Sequence, residues 1–304
     1  MPPYVYLVMA IHNAEKYLPD FLDSLRKQTY RNFGLVVLDD GSTDRSREII
    51  RSIFAEAVVL TGDGSYWWTR SINECLRNVL DKEFKYVFAM NVDLVMKEDF
   101  IEKMVESAAN RDDVILGSAI YDIDTMNLHS VGYKWNWWTA KLVHNQLQEG
   151  QGLLKVTHLG GRGLLIPKRV LLKMGLFDER TFPQYFADGV FTAMAGRKGY
   201  SLYCNSNAIL FTHVNETGSY RFLTSNNLCQ ALRYFLDTGS PGRLVTRWRA
   251  GLRMAPRWYA IPFIIIDTFR VLVSFARSRI SLHSQLVKSR HASSEKDFSN
   301  RAGR

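Results

Sequence analysis

The sequence predicts an α/β protein: a mostly parallel central sheet with helices on both faces, followed by a basic helical extension. Three observations predict it. Over the first 120 residues β-prone and helical segments alternate, the succession that builds a parallel sheet with crossover helices. Polar residues gather where predicted strands end (His12 and Asn13, Asp39 and Asp40, Asn91 and Asp93), the edge at which open α/β sheets bind ligands. Charge, finally, is divided unevenly. The 304-residue chain carries 39 Lys+Arg against 30 Asp+Glu, but residues 241–304 hold 13 basic and three acidic residues, a net of +10. Residues 1–240 therefore hold 26 basic and 27 acidic residues, a net of −1.

The elements follow in order. Residues 5–11 are apolar and β-prone, and 14–27 carry helical spacing through Tyr17, Leu18, Phe21, Leu22 and Leu25. A strand over 33–38 runs into the turn Asp39-Asp40-Gly41-Ser42; a helix over 43–54 and a short strand over 57–60 follow. Residues 68–80 read as helix, 86–90 as strand and 99–108 as helix. From about Asp122 the pattern changes. Irregular or antiparallel strands over 133–138 and 155–158 flank a polar loop, 145–152, and a strand over 164–167 precedes a short helix over 168–174. A helix over 187–199 places Gly199 at its C-cap, two closing strands cover 201–203 and 208–212, and a helix covers 224–236. Thr238-Gly239-Ser240-Pro241-Gly242 marks the boundary between a domain over 1–240 and the tail over 241–304.

Composition excludes several classes. Hydrophobic residues at 46% and charged residues at 23% are globular values. Cys75, Cys204 and Cys229 form no CxxC pair, so neither a disulfide framework nor a zinc knuckle is expected. The near-neutral body argues against a nucleic-acid-binding surface, so no nucleic-acid partner is expected. The start, MPPYVYLVMAIHN, lacks a basic n-region and a small-residue cleavage site, and cytoplasmic residence is the expectation.

Two carboxylates at the end of the apolar run Leu35–Leu38 need a partner: a metal, a hydrogen-bond donor or a ligand. For Thr43 and Asp44 a turn with a helix N-cap is as good a reading as a functional one. Asn91 and Asp93, at i and i+2, point to one side of an extended segment and could hold a divalent cation that in turn takes a diphosphate.

The segment YLVMAIHNAEKYLPDFLDSLRKQTYRNFGLVVLDDGSTDRS resembles the opening of the family-2 glycosyltransferases, which have the GT-A fold. The resemblance extends over about residues 4–215. It implies a nucleotide-binding half over 1–120 and an acceptor half over 121–240. It implies that Asp39 contacts the nucleotide base and that Asp93 holds Mg2+ or Mn2+ on the donor diphosphate. Asn91 stands at the first position of the family's D-x-D motif, a substitution that recurs in the rhamnosyltransferase-like branch, and would supply a neutral oxygen or contact the sugar. The first turn, Ala10 to Asn13, lacks the usual Pro. Gly62-Asp63-Gly64-Ser65-Tyr66-Trp67-Trp68-Thr69-Arg70-Ser71-Ile72-Asn73 resembles a donor-pocket segment in which Arg70 could pair with a phosphate. Trp67 and Trp68 there are pocket wall or core. The implied donor set is Ile11, Asn13, Asp39, Asp40, Arg70, Asn73, Asn91 and Val92.

His158-Leu159-Gly160-Gly161-Arg162-Gly163 resembles the loop that approaches donor sugar and acceptor, with Gly160, Gly161 and Arg162 as contacts. Asp188, near a helix start, matches the family's catalytic base, which takes the acceptor hydroxyl proton in an inverting transfer. Val190 and Met194 stand where a second acid and an Arg are usual. His213 matches a late histidine near the metal or diphosphate. The implied activity is inverting transfer of a hexosyl or rhamnosyl group, from a dTDP- or UDP-linked sugar to a glycan or lipid-linked hydroxyl, in bacterial surface polysaccharide synthesis. Two alternatives stay open. A nucleotidyltransferase would want a glycine-rich, lysine-containing loop after the first strand, where this chain has His12-Asn13-Ala14-Glu15. A catalytically inactive nucleotide-sugar-binding scaffold is favoured by Val190 alone.

In the tail, Asp267, Arg270, Ser274 and Arg277 fall on one narrow polar stripe of a helix whose remainder is apolar. The two charges make a spanning helix the less expected reading. With Arg247, Trp248, Arg249, Arg253, Arg257, Trp258 and Tyr259 alongside, residues 243–290 suit an anionic membrane surface on the inner face of the cytoplasmic membrane, a second subunit, or the protein's own catalytic domain. The last fifteen residues, 290–304, are polar and expected to be disordered.

Overall fold

The structure, a computed structural model, describes residues 3–109, 111–146, 152–214 and 227–280. Its first half runs β1 (Val5–Ile11), α1 (Leu18–Arg26), β2 (Phe33–Asp39), α2 (Ser46–Ile53), β3 (Val58–Thr61), α3 (Trp67–Val79), β4 (Tyr86–Met90), β5 (Leu94–Met96) and α4 (Phe100–Ala108). The second runs β6 (Val114–Asp122), β7 (Leu128–Ser130), β8 (Tyr133–Asn136), β9 (Lys141–His144), β10 (Leu153–Lys155), β11 (Leu164–Pro167), α5 (Lys168–Met174), α6 (Ala187–Arg197) and β12 (Ser201–Thr212). Helices α7 (Leu228–Leu232), α8 (Leu244–Met254) and α9 (Arg257–Ile280) close the described chain.

One sheet runs in the order β10-β12-β6-β11-β4-β1-β2-β3, with β5 on β12 and β7 on β6. β1, β2, β3 and β4 are mutually parallel, as are β6 and β12, while β11 runs antiparallel between the two groups. Helices on both faces bury β1, β2 and β4 from two sides, which is why Leu7-Val8-Met9 and Leu35-Val36-Val37-Leu38 read as unbroken apolar runs. α1 begins four residues later than its periodicity suggests. Asn13 is in the left-handed region (φ 50), and the Ser46 hydroxyl accepts the Ala14 N–H, so residues 14–17 form a turn instead. Pro19 then sits in the first helical turn, where no intrahelical bond is lost.

The second half departs further from expectation. β6 lies between β12 and β11, but Gly117 and Ser118 break its apolar run and conceal it from a periodicity reading. The glycine has a packing reason: a Cβ there would meet Leu159 Cδ2 at 2.6 Å. The two expected closing strands are one, β12, bent by a register shift between Asn205 and Ile209. Residues 133–144 form a hairpin, β8–β9. The helix expected over 224–236 is short: the Asn227 side chain accepts from the Cys229 and Gln230 N–H groups, and a 3-10 turn follows over Arg233–Phe235. Residues 224–226, the centre of the polar loop (147–151) and the terminal fifteen residues lie outside the described residues.

The tail corrects the expectation most. Its two helices pair antiparallel: Arg247 on Asp267, Trp248 on Thr268, and Gly251 under Phe263 and Ile264. The polar stripe turns partly inward. Asp267 is buried in a two-pronged bond to Arg247, because a neutralised pair can be buried where a lone charge cannot, and the half-buried Arg270 donates to the Thr139 carbonyl. Phe263, Val271 and Phe275 are buried beside them, while Ile261, Ile265, Phe269 and Leu272 face outward.

Candidate active site

Two cavities meet at the carboxyl ends of the parallel strands. The first is lined by Ala10, Ile11, His12, Asp40, Gly64, Trp67, Trp68, Ser71 and Gln184. The second, of about 310 Å3, brings together Asn91, Gly160, Gly161, Arg162 and Asp188, with His158, Tyr133 and Phe186. Trp68 and Gln184 line both, so they form the shared wall. Gln184 Oε1 accepts the Trp68 backbone N–H at 2.9 Å, and the Trp68 indole N–H donates to Asn91 Oδ1 at 2.9 Å. The Asn91 oxygen is thus engaged in holding the tryptophan.

Asp188 stands in the first turn of α6. Its Oδ2 accepts the Gly161 N–H at 2.6 Å and its Oδ1 the Gly189 N–H at 2.7 Å. Phe186, just before, is left-handed (φ 74), an uncommon state for a bulky residue that turns the chain sharply into the helix. Burial pushes the Asp188 carboxyl up, against the lowering pull of the Gly189 and Gly161 amides and the Arg162 charge. A carboxylate so placed is a stronger base than one in water. Gly161 has to be glycine: a Cβ would meet Trp68 Cζ2 at 2.5 Å. Thr192, unforeseen from sequence, fastens this loop to α6; its hydroxyl lies 2.9 Å from the Leu159 N–H and 2.9 Å from the Asp188 carbonyl. Val190 packs into the core, where a second carboxylate would lack a partner.

His158 is the other omission from the candidate set. It lies between the Tyr133 and Trp135 rings (6.2 and 5.7 Å between centroids), and burial lowers its pKa to about 4, so it is neutral near pH 7. The signal was present: it directly precedes the glycine loop.

Asp39 and Asp40 are both buried, and of the three partner types the sequence left open, the structure displays hydrogen-bond donors. Asp40 accepts N–H bonds from Gly64, Tyr66 and Trp67, which pins the loop ahead of α3 to the end of β2. Asp39 accepts the Ser42 N–H at 2.9 Å and pairs with Arg47; it lines neither cavity. Asn13 Oδ1 accepts the Thr43 N–H at 2.8 Å, joining the turns after β1 and β2. Arg70 stacks on Tyr66, 3.6 Å from the ring centre, away from both cavities. Val92 is half-buried against the core.

Asn73 needs correction as a donor contact. It is buried, and its amide is spent on the Phe177 N–H and carbonyl and on Glu179. It ties α3 to the segment preceding α6.

Asp93 Oδ2 accepts the Thr212 hydroxyl at 3.1 Å and lies 3.9 Å from Arg162. Thr212 thereby brings the end of β12, and His213 after it, to the Asp93 loop; His213 Nδ1 is 3.3 Å from Asp124. Among the described residues no group of three or more His, Cys, Asp or Glu side chains is placed to hold a metal. The Asp93 carboxylate fits a hard divalent cation that draws further ligands from a diphosphate, while the His213 imidazole has Asp124 as its partner.

Comparison with known proteins locates this geometry. A model of the family described as "Glycosyl transferase family 2" matches residues 6–172, more than half of the chain. A Haemophilus influenzae protein described as an uncharacterized glycosyltransferase is 24% identical over 234 residues, 71% of each chain. GalNAc-T7, solved with UDP, GalNAc and Mn2+, superposes with a TM-score of 0.59 at 14% identity, over 69% of this chain and 43% of that one. The mannosyltransferase PcManGT of Pyrobaculum calidifontis, solved with GDP-Man and Mn2+, does so with a TM-score of 0.59 at 12% identity, over 96% of this chain and 80% of that one. The chain therefore spans less than half the GalNAc-T7 chain. At these identities the structural likeness is one of fold, and the fold is GT-A.

Proposed function

From its membership of glycosyl transferase family 2, to which the chain belongs, we propose that it moves a sugar from a nucleoside-diphosphate sugar to an acceptor hydroxyl with inversion at C1. The observation that carries this reading is the half-buried Asp188 carboxylate, facing a cavity that also holds Asn91 and the Gly160–Arg162 loop. The donor is a dTDP- or UDP-linked hexose, rhamnose included, and the acceptor a glycan or lipid-linked sugar of a bacterial surface polysaccharide. On this reading the enzyme works in the cytoplasm, peripheral on the inner face of the membrane.

The chain's own residues supply the following. The cavity lined by Ile11, His12 and Asp40 takes the nucleotide, and Trp68 separates it from the cavity that takes the sugar and acceptor. Asp188 accepts the proton of the acceptor hydroxyl as that oxygen bonds to C1 and the C1–O bond to the diphosphate breaks. The Gly161 and Gly189 amides hold the carboxylate in one orientation. Arg162 offers a cation to the diphosphate. Asp93, bonded to the Thr212 hydroxyl, would hold Mg2+ or Mn2+ with His213, the next residue along the chain, and the bound cation would neutralise charge on the departing diphosphate.

A thermal-unfolding screen of nucleotide sugars with and without Mn2+ tests the reading. A donor that binds only the native state raises Tm, and the rise should require the cation and weaken in Asp93→Ala. No stabilisation by any nucleotide sugar would count against it.

A further inference from the structure

The C-terminal helical pair presents an apolar face that none of the described residues covers. On α9, Trp258, Ile261, Ile265, Phe269, Leu272 and Ile280 recur at helical spacing along the outer side; Trp258 is 91% exposed and Phe269 67%. On the neighbouring α8, Val245, Trp248 and Leu252 are exposed at i, i+3 and i+7. The β8–β9 hairpin extends the patch through exposed Trp138, whose ring meets Tyr259 edge-on at 4.9 Å. Arg249, Arg257 and Arg277 are exposed alongside. Between Pro241 and Ile280 the sole carboxylate is Asp267, and it is buried on Arg247.

We propose that this face is an in-plane anchor for a bilayer carrying anionic headgroups. The charge pattern selects the occupant. A second copy would set one arginine rim against another, and like charges across an interface disfavour association. Residues 281–304 add Lys288, Arg290, Lys296, Arg301 and Arg304 against Glu295 and Asp297, so they do not supply the missing anions. An anionic lipid surface satisfies both halves of the pattern: apolar side chains enter the acyl boundary while arginines meet the headgroups.

The docking of α9 sets its orientation. The helix is long and apolar enough to cross a membrane, with a mean hydropathy of 1.7 over its most apolar window. Yet Phe263, Asp267, Arg270, Val271 and Phe275 hold it against the protein along most of its length. Docked in this way it meets lipid with its outer side and lies flat. Its inner side reaches the active site: Phe263 meets Trp135 edge-on at 5.0 Å, Trp135 stacks on His158, and His158 lines the cavity of Asp188. The lipid face thus lies a short column of rings from the acceptor cavity, the placement a lipid-linked acceptor requires. That last step rests on the proposed transfer reaction; bilayer binding itself does not.

Co-sedimentation of the full chain with phosphatidylcholine vesicles, with and without phosphatidylglycerol, tests the anchor. Wild type should bind the mixed vesicles and lose binding as salt is raised. The double variant Ile265→Glu/Phe269→Glu should lose roughly tenfold or more of its partition, and Arg249→Glu/Arg257→Glu should lose the preference for anionic lipid. Both should keep wild-type Tm and nucleotide-sugar turnover in solution. Absence of vesicle binding, binding indifferent to both double variants, or a wild-type dimer that Ile265→Glu/Phe269→Glu converts to monomer would each overturn the anchor. Vesicle binding by a chain that turns over no nucleotide sugar would uphold the anchor and overturn the transfer reaction.

Discussion

Asp188 combines two opposed influences: burial that raises its affinity for a proton, and two backbone amides that stabilise its charge. A base works only when deprotonated, so activity should rise with pH through the pKa of this carboxyl. Since that pKa is raised, the acid limb of kcat/KM should be centred above the ordinary carboxylate value, and a limb at or below that value would remove Asp188 as the base. His158 makes the complementary prediction. Its native pKa of about 4 lies below the ordinary 6.5, so between these values the unfolded chain binds the extra proton. Stability should therefore be full above pH 6.5 and fall by roughly 3 kcal/mol as pH drops through the window to about 4. In His158→Gln that part of the slope, read by urea denaturation at several pH values, should vanish. Motifs made Asp188 and the glycine loop legible in the sequence. The fate of Asn73 was not legible, because nothing local announces that its amide will be spent on Phe177 and Glu179, more than a hundred residues away.

At the scale of elements, the site depends on loops pinned by a few hydrogen bonds and close contacts. The loop before β11 meets Trp68 where Gly161 lacks a side chain. Gly161→Ala should displace the indole or the loop, lowering kcat about tenfold or more while leaving Tm nearly unchanged, as misplacement near the chemistry does. The Arg247–Asp267 pair joins α8 to α9. Asp267→Ala leaves a largely buried guanidinium without its partner and should cost about 3 kcal/mol in denaturant titration, with Asp267→Asn costing less. The sequence showed the stripe containing Asp267 but not the direction it faces. A period of 3.6 defines faces; which face turns inward depends on whether a neighbour offers a counter-charge, and Arg247 lies on a different helix.

At the scale of the molecule, the parallel half was legible because helices cover both faces of β1, β2 and β4, leaving unbroken apolar runs bounded by glycine turns. The half beyond residue 120 was less so. β6 carries a glycine for the sake of Leu159, β12 bends mid-strand, and β8–β9 stands off the main sheet, so their patterns record tertiary contacts more than periodicity. The basic excess has a comparable resolution. Within the described residues it lies on a helical pair behind the cavity of Asp188, while the body that holds the carboxylates is close to neutral. Two cavities lie on either side of Trp68, with Asp188 in the second; the proposed reaction assigns the nucleotide to the first and the acceptor to the second.

The central claim is that Asp188 drives sugar transfer from a nucleotide donor. Release of nucleoside diphosphate, measured for wild type and Asp188→Asn with the sugar nucleotide that raises Tm, tests it most directly. The account predicts turnover by wild type, a loss of about 100- to 10,000-fold in Asp188→Asn, and unchanged donor affinity in the variant. Equal turnover by the two proteins would contradict it.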